Sequence, residues 1–190
     1  MIITNSCFKT STWNGGTTTE LFIYPHDSSY QARNFDIRIS SATVDVEESL
    51  FTNLPNYNRA LMILSGDLVI HHESHYTKML SQYDCDYFDG AWNTSAKGKV
   101  IDFNLMTSKN LTGTLIYQKL SINHKLTLSL PPNQIISGIY LISGQLLITD
   151  TKQDVNPQEL IIIDNPKDTA NISVIAESQI IMISVNNFII

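Results

Sequence analysis

The chain has 190 residues, of which 43% are hydrophobic and 16% charged, and its net charge is −6. An acidic chain without clusters of Lys and Arg lacks the positive surface that phosphate backbones and anionic membranes attract, so neither nucleic acid nor a membrane surface is an expected partner. No apolar run approaches the roughly 18 residues of a spanning helix, and residues 1–16 lack the basic stretch and apolar core of a signal peptide, so a cytoplasmic location is expected.

Low charge and abundant Ile, Val and Thr predict a sheet-rich chain. Cys7 is expected as a free thiol, as is Cys85; the two lie far apart and in no metal-ligand spacing. Next comes Trp13-Asn14-Gly15-Gly16-Thr17-Thr18-Thr19-Glu20, which holds two of the chain's 8 glycines. Glycine lets a backbone approach a neighbour closely. With hydroxyls after it and a flat indole before it, this loop suits the mouth of a pocket for a small polar ligand. It equally suits a corner between strands locked by hydroxyl bonds.

Strands are predicted at 21–24 and 35–40, separated by the turn that starts at Pro25. In the second, Phe35, Ile37 and Ile39 alternate with Asp36, Arg38 and Ser40, so Arg38 and Ser40 share a face. If that face lines an interior, Arg38 needs an anion. Otherwise the apolar set faces inward, and Arg38 is solvated or pairs with Glu20. Residues 49–54 allow a short helical turn. Arg59 then opens the apolar run Ala60-Leu61-Met62-Ile63, and its planar fork suits a carboxylate.

Strands at 60–64 and 68–71 flank Ser65-Gly66-Asp67 and read as a hairpin. After them comes His71-His72-Glu73-Ser74-His75. On one continuous strand His71, Glu73 and His75 would share a face and could hold zinc or nickel. The run into a loop favours exposed imidazoles at a strand end, and His26 and His124, beside turns, are read as surface groups. Asp84, Asp86 and Asp89 are read as a solvated loop. Asn104 lies within a strand at 100–106, and an amide there needs partners if buried. It could orient a ligand or tie down the Gly15-Gly16 loop.

Further strands are predicted at 113–120, 135–142, 146–149, 160–163, 172–176 and 180–185, with no long stretch of helical period. Many short strands at regular spacing argue an all-β sandwich or barrel. Residues 61–70 repeat in pattern at 139–148: an apolar strand, Ser-Gly and a polar residue, then another apolar strand. The repeat divides the chain into residues 1–120 and a smaller half, 121–190, with Pro131-Pro132-Asn133 as the most linker-like stretch.

Taken in order, the Trp13 to Glu20 stretch, Phe35 to Ala42, Phe51 to Pro55 with Arg59, Leu64-Ser65-Gly66, Phe88-Asp89-Gly90 and Asp102 to Met106 resemble the HutD/Ves family, over about residues 13–107. The resemblance implies an all-β bicupin, two double-stranded β-helix (jelly-roll) barrels in one chain. It implies no settled reaction. Binding of a small carboxylate and a regulatory role in histidine utilisation are what it suggests. The family's usual opening has one spacer between the Trp and the Asn, and here Asn14 follows Trp13 directly.

Cupin metal sites use a Glu seven residues before the strand-closing glycine and a later His. Arg59 stands seven before Gly66, Ser137 seven before Gly144, and Asn93 where the later His would be. No metal and no cofactor are therefore expected, and no catalytic motif is visible. The ligand-binding set implied by these residues and the resemblance is Trp13, Asn14, Gly15, Gly16, Thr18, Glu20, Arg38, Ser40, Arg59 and Asn104, around a small carboxylate-type metabolite. The alternatives are an isomerase or hydrolase of a small polar compound, with Glu20 or Asp89 as acid–base, and a protein-interaction module. A homodimer is compatible with each.

Overall fold

β-Branched residues fill the runs between turns, and in the computed structural model, which describes residues 2–188, the backbone is extended almost throughout. No helix is long and apolar enough to cross a membrane. The chain divides into two compact units, one formed by Phe8–Gly113 and one by the segment up to Cys7 together with residues from Thr114 onward. The initial segment carries β1 (Ile2–Ile3).

The Phe8–Gly113 unit holds β2 (Lys9–Trp13), β3 (Gly16–Tyr24), β4 (Ile37–Val44), β5 (Glu48–Leu50), β6 (Tyr57–Ser65), β7 (Leu68–His72), β8 (Tyr76–Leu80), β9 (Cys85–Asp89), β10 (Thr94–Lys97) and β11 (Val100–Ser108). Its boundary falls inside β12 (Leu111–Leu120). The strands form a six-stranded sheet in the order β2-β3-β4-β11-β6-β9 and a four-stranded sheet in the order β5-β10-β7-β8. Val44, Leu61, Ile63 and Phe88 of the larger sheet pack with Leu68, Ile70, Leu80 and Ala96 of the smaller one in a single apolar core. The central strands β4, β6 and β11 are buried on both faces. That is why Ala60 to Ile63 is a continuous apolar run, and why Arg38 and Ser40 are buried as well as Ile37 and Ile39.

The other unit contains β13 (Lys125–Leu128), β14 (Gln134–Ile148), β15 (Gln153–Val155), β16 (Leu160–Ile163) and β17 (Ala170–Asn187). Its sheet runs β1-β16-β14-β17-β12, with β13 added on β17 and β15 on β14. Leu141, Leu146, Ile161, Val174 and Ile180 are among its fully buried core residues. Among the described residues the ladders of both units are open rather than closed into continuous barrels.

Three local expectations change. Residues 49–54 form no helical turn; β5 pairs with β10, and the backbone N–H of Phe51 continues that contact to Thr94. The segment around Asp86 is a strand, β9, paired with β6, and Asp86 is buried rather than solvated. The two Ser-Gly elements are bends and not hairpins. β6 pairs with β11 and β9 whereas β7 pairs with β8 and β10, so the chain changes sheet at Gly66. The two strands expected at 135–142 and 146–149 are one long strand, β14 (Gln134–Ile148), whose register against β17 shifts on either side of Ser143 and Gln145.

The repeat is nevertheless geometric, because both glycines hold positive φ, +85° at Gly66 and +96° at Gly144. A Cβ would lie 2.4 Å from the Lys99 carbonyl oxygen at the first and 2.3 Å from Ser178 Oγ at the second. Gly66→Ala and Gly144→Ala are each expected to destabilise by about 2 kcal/mol, from strain plus displaced neighbours. Thermal unfolding checks this; an unchanged midpoint would show that the bends tolerate a side chain.

Candidate functional site

The six-stranded sheet places its polar residues by register. Antiparallel partners point to the same face. Arg38, Met106 and Arg59 form one row across β4, β11 and β6; Glu20, Ser40, Asn104 and Leu61 form the next; Thr18, Ala42, Asp102 and Ile63 form a third. At the Leu61 and Ile63 end this face is apolar core. Over the rest it lines a cavity of about 330 Å³ with Ser11, Trp13, Tyr30, Leu50 and Phe51 among its other walls.

Arg38 Nε donates to Glu20 Oε2 at 2.8 Å and its Nη1 to Ser40 Oγ at 3.1 Å, while its guanidinium lies 4.4 Å from the Tyr30 ring centre. The Glu20 pairing and the cavity-lining position foreseen for Arg38 therefore coexist. Arg59 differs. It is 7% exposed, no carboxylate stands within ion-pairing distance among the described residues, and its Nε has no hydrogen-bond partner. Its guanidinium lies against the rings of Phe51 and Phe88, at 4.7 and 5.2 Å. Burial lowers it to about 10, against the opposing pull of Asp102.

Arg59 Nε, Asp102 Oδ1 and Asn104 Oδ1 are the buried side-chain polar atoms without a partner among the described residues, and all three residues line this cavity. Buried polar groups are normally satisfied, so three orphans in one place mark a site built for something else to complete. Burial pushes the Asp102 carboxyl up to about 7, against the Arg59 charge and the Ala42 backbone amide.

Of the expected set, the structure brings Trp13, Thr18, Arg38, Ser40, Arg59 and Asn104 together around the cavity. Glu20 enters it only through Arg38. Asn14 and Gly15 are the two-residue turn between β2 and β3, where Trp13 pairs with Gly16. Gly16 is pressed against β4; a Cβ there would stand 1.9 Å from the Thr43 carbonyl oxygen, so strand contact is what demands this glycine. Thr19 Oγ1 bonds Thr10 Oγ1 at 2.9 Å on the opposite face from Thr18. The stretch is a hydroxyl-locked corner whose inward residues, Ser11, Trp13 and Thr18, also serve as a cavity wall.

Asp102, Tyr30 and Phe51 are cavity residues that sequence reasoning missed. For Asp102 a signal existed: it precedes Asn104 by two on the same strand and so shares its face.

The histidine run does not form one face. β7 ends at His72, and Glu73 to His75 make the turn into β8. His71 bonds Thr77, His75 stacks on Trp92 at 3.8 Å, and Glu73 accepts from Asn93. His72, expected with the rest of the run as an exposed imidazole, is instead fully buried as the third inward residue after Leu68 and Ile70. Its ring nitrogens meet Thr94 Oγ1 at 2.8 Å and Asp86 Oδ2 at 2.9 Å. Tyr76 and Lys78 also donate to Asp86, and the burial of Tyr76, reinforced by that carboxylate, raises its hydroxyl to about 12. This network joins β9 of the larger sheet to the smaller sheet; its inner members His72, Thr94 and Asp86 are buried, and Tyr76 and Lys78 reach it from the surface. Among the described residues no three His, Cys, Asp or Glu are grouped so as to hold a metal. Asp89 is held by Lys109 and the Ala91 N–H, and Glu20 by Arg38, so both acid–base candidates are committed to internal partners. Cys7 and Cys85 are free thiols.

All-β architecture with these two units is that of the cupins. The nickel(II) complex of the bacterial pirin YhhW from Escherichia coli superposes with a TM-score of 0.73 at 8% identity, over 99% of each chain. Residues 5–182 match the HutD family, and the chain belongs to it. HutD from Pseudomonas fluorescens SBW25, in a formate condition, shares 16% identity with a TM-score of 0.73, covering 99% of this chain and 98% of that one. PA5104 from Pseudomonas aeruginosa PAO1, a conserved protein of unknown function, shares 14% identity with a TM-score of 0.81 over 98% of each chain. A comparison with curated protein sequences gives no match.

An Asp102 carboxyl held near 7 makes a signed prediction for stability. A carboxyl raised above its unfolded value contributes fully at low pH, and that contribution is lost as pH rises through the folded value. Asp102→Asn is therefore expected to unfold several degrees above the parent at pH 8, with the difference vanishing towards pH 4. Melting curves across that range test it, and a constant difference would mean that Asp102 is not the group responsible.

Proposed function

We propose that this HutD-family cupin binds a small anionic metabolite, a carboxylate in the first instance, in the cavity of the Phe8–Gly113 unit. The observation that carries this reading is Arg59: a buried guanidinium with no ion-pair partner among the described residues, lining a cavity of about 330 Å³. A buried cation gains from an anion that can reach it, and a planar fork gains most from a carboxylate. Arg38 and Ser40 flank the anion position, Asn104 offers a carbonyl oxygen to a donor on the ligand, and the rings of Phe51, Tyr30 and Trp13 cover the remainder. The role is regulatory or sequestering, and the family's link to histidine utilisation sets the compounds to try first.

The test is a thermal-shift screen with formate, urocanate, formylglutamate, formiminoglutamate, histidine and divalent metals. A ligand at 100 times its Kd stabilises by about 2.7 kcal/mol, which is readily seen. At least one carboxylate is expected to raise Tm, and Arg59→Gln to weaken its binding about 100-fold or more while keeping the fold. A carboxylate response undiminished in Arg59→Gln would remove Arg59 as the anchor, and no response to any carboxylate would remove the function.

A further inference from the structure

The cavity floor carries an acid as well as an arginine. Asp102 is 6% exposed, its Oδ1 has no partner, and its support is the Ala42 backbone amide and the field of Arg59. The charged and titratable groups that face it are Arg59 on β6, Arg38 on β4, Glu20 on β3 and Tyr30 in the segment between β3 and β4. β2 and β5 present Ser11, Trp13, Ser49 and Leu50, which carry no charge. Glu20 and Arg38 neutralise each other at 2.8 Å.

The remaining charges decide what can enter. With Asp102 ionised, its charge cancels that of Arg59. A monoanion arriving then leaves an unbalanced negative charge among buried groups, which is costly. With Asp102 protonated, the same anion meets one uncompensated guanidinium and the sum is zero. We propose that the anion and a proton bind together, the proton residing on the Asp102 carboxyl of the cavity floor. This rests on the anion-binding reading above and adds its regulation: the site loads as pH falls and empties as pH rises.

The position of the Asp102 equilibrium makes the coupling effective near neutrality. Burial has already raised the carboxyl to about 7, so protonating it there costs little. A bound anion raises it further. Affinity is then level below about pH 7 and falls by up to tenfold per pH unit above it.

The experiment is titration calorimetry of the whole chain with formate and with acetate, both ionised throughout, at pH 6 and pH 8. At pH 8 each titration is run in two buffers of different ionisation enthalpy. The expected results are an affinity about tenfold weaker at pH 8, uptake of about one proton per anion at pH 8, and neither effect in Asp102→Asn, whose affinity at pH 8 matches that of the parent at pH 6. Anion binding that is independent of pH, with no difference in heat between buffers, would overturn the coupling and leave the anion site standing. The same pH slope in Asp102→Asn would also overturn it. Absence of binding by either anion at pH 6 would overturn the site and the coupling together. Should Asp102→Asn fail to fold, the two-buffer heats of the parent decide alone.

Discussion

A positive charge held in a protein interior without a direct ion-pair partner is expensive, and the Phe8–Gly113 unit is arranged around one. Arg59 lies near the start of β6, a strand buried on both faces, and continues the face occupied by Leu61 and Ile63. Its guanidinium rests on two aromatic rings, while the nearer acid on the same floor is itself pushed towards neutrality by burial. Rings and backbone dipoles lower the cost of such a cation without cancelling it. Arg38, in the same row across Met106, has its cost met by Glu20 and Ser40. The contrast between two arginines flanking the same methionine distinguishes a structural ion pair from a binding group.

The two sheets of this unit are joined by a different device. His72, Thr94 and Asp86 form a chain of buried hydrogen bonds, closed over by Tyr76, Phe88 and Trp92. Side by side, hydroxyl, imidazole and carboxylate have the composition of a nucleophilic triad. Their inaccessibility assigns them to packing: a satisfied polar network inside a core fixes one arrangement of strands. Site and tie therefore divide the polar interior into an unsatisfied part, open to a cavity, and a satisfied part, closed to solvent.

Much of this was legible in the sequence, and the limits were physical. All-β character follows from composition and spacing, and the motif series from Trp13 to Met106 pointed to the family to which the chain belongs. Arg59 stood out as a charge opening an apolar run. What failed were inferences that depend on non-local pairing. Apolar strand, Ser-Gly, apolar strand describes a hairpin and a bent strand equally well, and only the partners of β6 and β7 separate the two. Alternation loses its meaning on β4 and β11, where both faces are buried, so Asp102 could not be assigned a side by polarity alone. His72 was overlooked because the run was weighed as one strand face of His71, Glu73 and His75, although its two-residue spacing from Ile70 placed it on the opposite, inward face.

The site's floor is written on the ladder itself, in residues two apart on three neighbouring strands. One residue inserted into β11 would exchange Asp102 and Asn104 for Ile101 and Phe103 on that face and invert the floor. Length can vary only where the ladder ends. Asn14 and Gly15 occupy such a place, outside the Trp13 and Gly16 pair. The spacer that the HutD/Ves resemblance leads one to expect after Trp13 would fall in this turn, where a change of length shifts no rung of the ladder. Trp13 keeps its place in the cavity wall, and variation in loop length is decoupled from the chemistry of the floor.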